Sequence, residues 1–360
     1  DWVTFSPNKL HPIHNWFYYK EGFSKELVQW SIGQWKLQEP ILDPFCGSGT
    51  TLLTCKELGL ESIGLEVSPL AAFVSRVKTC NYALDDLQKE FEKLQSLSPQ
   101  PIEIIPIDSK IRRLFYHAPL EKIWCYKTAI EKINDEKIRN LFLLALIDVT
   151  PRAANIQKSG GSLRKHKKQN VDVQKMLFEK INLMLKDLQQ TNLNKIEPEI
   201  FQTDARAFKL KPESIGSVFT SPPYLNKEEY TTIFKLEMGI FFGAKQPKLE
   251  KFLGDSNQTT SKEFLELPAN AQTYFADLKK VLQNIYLALK PGAKAVFNIS
   301  GGCYQSGPVQ SDKCLEKIAK QTGFLVQQNI ACRWVQCHSS QRSEKTGKAK
   351  EALVVLQKMK

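Results

Sequence analysis

Two short stretches carry residue types whose spacing could do chemistry. The first is Thr220-Ser221-Pro222-Pro223-Tyr224. Consecutive prolines lack N–H donors and fix φ, so the stretch is a rigid corner that offers carbonyl acceptors, the Ser221 hydroxyl and the face of Tyr224. That set suits a flat heterocycle bearing an amino group. The second is Asp43-Pro44-Phe45-Cys46-Gly47-Ser48-Gly49-Thr50-Thr51, a glycine turn. A phosphate-binding P-loop would need Gly-Lys-Ser/Thr after the second glycine, and Gly49-Thr50-Thr51 has no lysine. A dinucleotide site would carry a third glycine where Leu52 stands. Close approach of the glycines to a nucleoside still fits, with Glu66, seventeen residues beyond Gly49, accepting both hydroxyls of a ribose. Asp204 is a further acceptor, suited to an adenine amino group.

These residues need strands to aim them. Pro40-Ile41-Leu42-Asp43 and Ile215 to Phe219 before Thr220 read as short buried strands, and Ser62-Ile63-Gly64-Leu65 before Glu66 and Glu199 to Thr203 before Asp204 as further strands. Their carboxyl ends are where open α/β sheets bind ligands. Helices are expected from Ser24, from Leu52 to Leu58 with Gly59 as the stop, and from Leu70 to Val77 behind a Ser68-Pro69 start. The alternation predicts a doubly wound α/β fold. Residues 85–194 change character: helices over Asp85–Leu97, Leu120–Ile133, Glu136–Val149 (ended by Pro151) and Val173–Leu188 read as a helical insertion. A helix from Ala271 to Leu289 and strands at Ala295–Ile299, Phe324–Val335 and Ala352–Leu356 complete the sheet.

The 360 residues suffice for about two domains, and no apolar run approaches the ~20 residues of a membrane span. Eight cysteines stand singly, without C-x-x-C pairs, in a chain too large to need disulfides, and no charged-then-apolar leader follows Asp1. Reduced thiols and a cytoplasmic location are expected. Cys332, Cys337 and His338 lack the further partners of a metal site and read as strand and loop, so no metal is expected. The net charge of +12 points to a polyanionic partner. Half of that surplus sits in residues 151–170, where Arg152, Lys158, Arg164, Lys165, Lys167 and Lys168 occur without an acid and Gly160-Gly161-Ser162 suggests a flexible basic loop. A second basic loop is expected around Arg342, Lys345, Lys348 and Lys350.

Taken jointly, the Asp43–Thr51 and Thr220–Tyr224 motifs resemble those of S-adenosylmethionine-dependent amino methyltransferases of DNA, the N4-cytosine and N6-adenine family of restriction–modification systems. The Asn226-x-x-x-Tyr230 and Leu236-Glu237 tail is similar to that of members of this group. The resemblance implies a Rossmann-like methyltransferase sheet, mostly parallel with an antiparallel C-terminal edge, formed by residues 1–84 and 195–360. It implies S-adenosylmethionine as cofactor, with Phe23, Asp43, Pro44, Phe45, Gly47, Gly49 and Thr50 about its methionine end, Glu66 on its ribose, and Asp204 and Ala205 at its adenine. Ser221, Pro222, Pro223 and Tyr224 become the catalytic corner. Within the family, serine before Pro-Pro-Tyr goes mainly with the N4 amine of cytosine and Asp or Asn mainly with the N6 amine of adenine. Adenine, an RNA guanine amine and an inactive nucleic-acid-binding scaffold stay open as alternatives. Methylation at ring carbon 5 is disfavoured, because it needs a cysteine nucleophile after a proline. Double-stranded DNA is the implied partner, with a cognate restriction endonuclease acting on the same site. Only sixteen residues lie between Asp204 and Ser221, where family members often carry target recognition, so DNA contact is assigned to the 85–194 insertion.

Overall fold

A strand covered on both faces reads as an unbroken apolar run, and every residue from Ile215 to Thr220 is buried. In the computed structural model this run is the middle strand of seven. In chain order the seven are β1 (Ile41–Asp43), β2 (Ser62–Glu66), β5 (Glu199–Gln202), β6 (Ile215–Thr220), β7 (Leu289–Ser300), β10 (Phe324–His338) and β11 (Lys345–Lys358), and they lie side by side as β10-β11-β7-β6-β1-β2-β5. Two hairpins account for the other strands: β3 (Ile156–Ser159) with β4 (Ser162–Lys165), and β8 (Gly302–Tyr304) with β9 (Gly307–Val309). The structure describes residues 2–20, 22–97, 107–154, 156–159, 162–165, 171–225, 233–243, 250, 253–255, 264–338 and 345–360, with the backbone alone at 117, 157–159, 162–165, 338, 345 and 346.

From β5 to β7 all neighbours are parallel, while β11 runs antiparallel to both β7 and β10. The sheet is therefore the doubly wound, mostly parallel one expected, with an antiparallel C-terminal edge. Its order reverses between β1 and β6, and the crevice at such a switch point is where ligands bind.

Local chemistry sets the helices. The Ser24 hydroxyl accepts from the Leu27 N–H to open α1 (Lys25–Trp35), and Gly59, at φ +71°, closes α2 (Thr50–Leu58). Ser68 caps α3 (Pro69–Thr79), with Pro69 at its first position. Phe23, Val28, Phe219, Val296 and Val355 share the core under α1. The opposite face of the sheet is covered by α9 (Ala269–Ala288) and α10 (Ser311–Gln321) through Leu278, Leu282, Leu315, Ala295 and Phe297.

The insertion consists of α4 (Leu84–Ser96), α5 (Ser109–Arg112), α6 (His117–Glu131), α7 (Glu136–Ala153) and α8 (Val173–Gln190). It shares one core with α3 and with Ile13, Trp16 and Phe17 of the N-terminal segment. Among the described residues no helix is long and apolar enough to cross a membrane.

Four expectations need correction. Pro151 does not end α7, which runs on to Ala153. Val149, Thr150 and Ala153 are fully buried there, and this packing outweighs the hydrogen bond that proline removes. The basic loop after it is partly a β-hairpin, β3 with β4. The second basic loop shrinks as well, because Lys345, Lys348 and Lys350 belong to β11, and Lys350 is ion-paired with Asp312 at 2.5 Å. Finally, Cys303 and Cys337 form a disulfide, so reduced thiols describe Cys46, Cys55, Cys80, Cys125, Cys314 and Cys332 only. With Cys337 so bonded and Cys332 exposed on β10, that cysteine pair lies within a strand.

Candidate active site

The switch point brings the two motifs together. Asp43 ends β1 with no exposed surface, and both of its oxygens are occupied. Oδ2 accepts from Thr51 Oγ1 of α2 at 2.6 Å, while Oδ1 accepts from the Phe45 N–H at 3.1 Å and from Thr220 Oγ1 at 2.6 Å. The last of these spans 177 residues and fastens the glycine turn to the start of the Ser221 corner. Burial raises the Asp43 carboxyl to about 6 against the pull of these three donors. Asp43 therefore shapes the turn from within and has no surface left for a ligand.

The turn needs its glycines. Gly47 and Gly49 have φ of +51° and +82°, and a Cβ on Gly49 would collide with Ser75 of α3. At Gly47 a Cβ would sit 3.2 Å from Tyr19 Cε1, so a ring closes on the turn from the N-terminal side. Tyr19 is itself stacked on Phe234, with centroids 5.6 Å apart. The aromatic expected at this place is Phe23, but Phe23 lies edge-on to Phe219 in the core under α1. Tyr19 stands in a visible aromatic run, Phe17-Tyr18-Tyr19, yet no spacing rule links it to the turn.

Pro44 and Thr50 are buried, and Phe45 is half-buried in the core under α9. Glu66 ends β2 one strand over from Asp43. Its carboxylate accepts from the Gly47 N–H at 2.9 Å and the Ser68 N–H at 2.7 Å, and burial raises it to about 7. An acid beside a glycine N–H, with an aromatic ring facing the same turn, fits the ribose and methionine ends of S-adenosylmethionine.

Asp204 does not fit its expected role. Arg206, two residues on, folds back so that its Nε lies 3.0 Å from both Asp204 oxygens and its Nη2 lies 2.5 Å from Oδ2. The same guanidinium binds Glu250 at 2.7 Å and the buried Asp277 of α9 at 2.6 Å. Burial opposes ionisation of Asp204, but the hydrogen bonds and charge of Arg206 outweigh it and hold the carboxyl below its ordinary range. This acid is thus one arm of a structural hub, and the adjacent Ala205 is buried in the core.

Beyond Thr220, Ser221 and Pro223 are partly exposed, whereas Pro222 and Tyr224 are buried. The Tyr224 hydroxyl donates to Glu351 Oε1 at 2.7 Å and accepts from Asn298 Nδ2 at 3.0 Å. Neither partner could be picked out from the sequence, since each is one polar residue among several in its strand and lies 74 or 127 residues from Tyr224.

Of the basic residues, Arg152 sits in the last turn of α7, largely exposed, 3.6 Å from Asp148, which also pairs with Lys180 at 2.8 Å. A cleft of about 520 Å³ runs from Arg152 and Pro151 to Phe17, Tyr18 and Glu237, so the end of α7 borders the N-terminal aromatic segment. Lys158, Arg164 and Lys165 lie on the β3–β4 hairpin, with backbone alone described; Lys167, Lys168 and Arg342, and the Asn226–Tyr230 stretch, lie outside the described residues.

Comparison with known proteins agrees with this layout. Residues 3–72, which hold the N-terminal segment, the glycine turn and Glu66, match the family described as DNA methylase. The Type II methyltransferase M.BsoBI of Geobacillus stearothermophilus is 25% identical, over 96% of this chain and 85% of its own length. The Type II methyltransferase M.AvaI of a Nostoc species is 24% identical, over 94% of this chain and 85% of its own. Among solved structures, the glycopeptide N-methyltransferase MtfA aligns over 94% of this chain and 96% of its own, at 10% identity and a TM-score of 0.35. With the family match over residues 3–72 and relatives aligned along nearly its whole length, the chain is similar to the DNA amino methyltransferases of restriction–modification type.

Proposed function

We propose that this enzyme methylates the exocyclic N4 amine of cytosine at a specific site in duplex DNA, as the modification partner of a restriction endonuclease. The observation that carries the reading is the Thr220–Asp43 hydrogen bond, which sets the acceptor corner directly beside the donor turn. S-adenosylmethionine, when bound, supplies an electrophilic methyl group on a sulfonium. Gly47, Gly49 and Glu66 hold it, and Tyr19 encloses the turn.

The rest is done by the chain's own residues. An exocyclic amine is a poor nucleophile because its lone pair is delocalised into the ring. Accepting its hydrogens on Ser221 Oγ and the Pro222 carbonyl turns that lone pair toward the methyl group, and fixed placement supplies the remaining rate. The target base is out of reach inside a duplex and has to be flipped out. Stacking on Tyr224 returns roughly 1–3 kcal/mol of the unstacking cost. Serine ahead of Pro-Pro-Tyr favours cytosine.

Residues 1–84 and 195–360 form the catalytic domain, and 85–194 supply the DNA-contacting surface. The support for that surface is the exposed Arg152 at the end of α7, the basic β3–β4 hairpin that follows it, and the cleft that Arg152 shares with Phe17 and Tyr18. Incubation with tritiated S-adenosylmethionine and either duplex DNA or RNA of mixed sequence tests the reading. Label is expected in DNA alone; label in RNA, or tight DNA binding without transfer, contradicts it.

A further inference from the structure

Side chains from three strands meet at Tyr224. Asn298 of β7 and Glu351 of β11, both with 0% exposure, take the phenol oxygen between a donor and an acceptor. The second Glu351 oxygen accepts from Arg333 Nε of β10, and Arg333 is 43% exposed. Register puts this group at the catalytic end of the sheet: Arg333 pairs with Glu351, Glu351 with Ser300 at the end of β7, and Thr220 with Phe297 of the same strand. A buried carboxylate against one surface arginine is a weak way to stabilise a fold, since well-packed apolar side chains do as well. It is an effective way to fix a ring, because a phenol held at its hydroxyl can no longer swing about its side-chain torsions.

We propose that Glu351 is a positioning residue for methyl transfer, holding the Tyr224 hydroxyl so that the ring keeps the plane on which the target base stacks. This rests on the reading of Tyr224 as the stacking residue. Asn298 fixes the same oxygen from the other side, and Arg333 holds the second oxygen of Glu351 and so orients it.

The test is a double-mutant cycle on the single-turnover rate with duplex DNA, using Tyr224→Phe, Glu351→Leu and the two combined. Each single change is expected to slow transfer about tenfold, with KM for DNA and cofactor unchanged and with the double variant no slower than either single one. Glu351→Gln keeps an acceptor oxygen and is expected to stay within about threefold of the wild type. Multiplication of the two losses in the double variant overturns the proposal, as does a Gln variant as slow as the Leu variant. Where the Leu variant does not fold, Tyr224→Phe decides, and a wild-type rate there also overturns it. Tyr224→Ala separates the two levels. If it transfers at the normal rate, the stacking reading itself fails. If it is slow while Tyr224→Phe and Glu351→Leu are normal, only the role of Glu351 fails.

Discussion

Asp43 and Arg152 both stand out in the sequence by their charge, and they occupy opposite physical settings. Asp43 lies under the turn with no exposed surface, holding Thr51, Phe45 and Thr220 in one arrangement. Arg152 stands on the last turn of α7 with 62% of its side chain exposed, and its partner Asp148, at 3.6 Å, is shared with Lys180. Removing the first leaves buried hydroxyls without their acceptor; removing the second costs the fold almost nothing. The chemistry is held by a preorganised interior, whereas binding a polyanion asks only for charge at the surface.

The widest separation between the two regions should appear at Ser221. Ser221→Ala removes the hydroxyl proposed to accept from the reacting amine, so transfer is expected to fall on the order of 10²–10³-fold while cofactor affinity, by calorimetry, stays the same. A parallel loss of cofactor binding would show that the corner and the turn are not distinct parts. Next, Asp43→Ala is expected to lower unfolding stability by roughly 3 kcal/mol in urea titrations, against under about 0.5 kcal/mol for Arg152→Ala. Equal effects would erase the contrast. Neutralising Arg152, Arg164 and Lys165 together is expected to weaken DNA binding roughly tenfold or more and to cut the slope of log K against log salt by about 0.9 for each phosphate no longer neutralised. An unchanged slope would make the hairpin an idle surface.

The smallest effect is one of pH. With the Glu66 carboxyl raised to about 7, a move from pH 6 to pH 8 takes it from mostly protonated to mostly ionised. Only the ionised form accepts both ribose hydroxyls, so cofactor affinity is expected to rise about five- to tenfold over that window. A flat or falling profile would remove Glu66 from the ribose.

The sheet is legible in the sequence because its strands announce themselves twice, as apolar runs and by what ends them: Asp43, Glu66 and Thr220 close three adjacent strands. Caps at Ser24 and Ser68 place two helices for the same local reasons. What escapes depends on contacts between distant residues. Nothing in Thr203-Asp204-Ala205-Arg206 tells that the arginine folds back on the acid and gathers Glu250 and Asp277 around it. The Cys303–Cys337 bond joins residues 34 apart that carry no pairing signal. Tyr19 reaches Gly47, and Glu351 reaches Tyr224, only after the chain has folded. The charge of Lys348 and Lys350 suggests a loop, although Gly347 and Ala349 alternate with them at the period of a strand.

The central claim is that the Ser221 corner holds the amine of a cytosine against the methyl donor. Digestion of duplex DNA methylated by the purified protein, followed by mass spectrometry of the nucleosides, tests it directly. N4-methylcytosine is the expected methylated product, and N6-methyladenine in its place would contradict the cytosine reading.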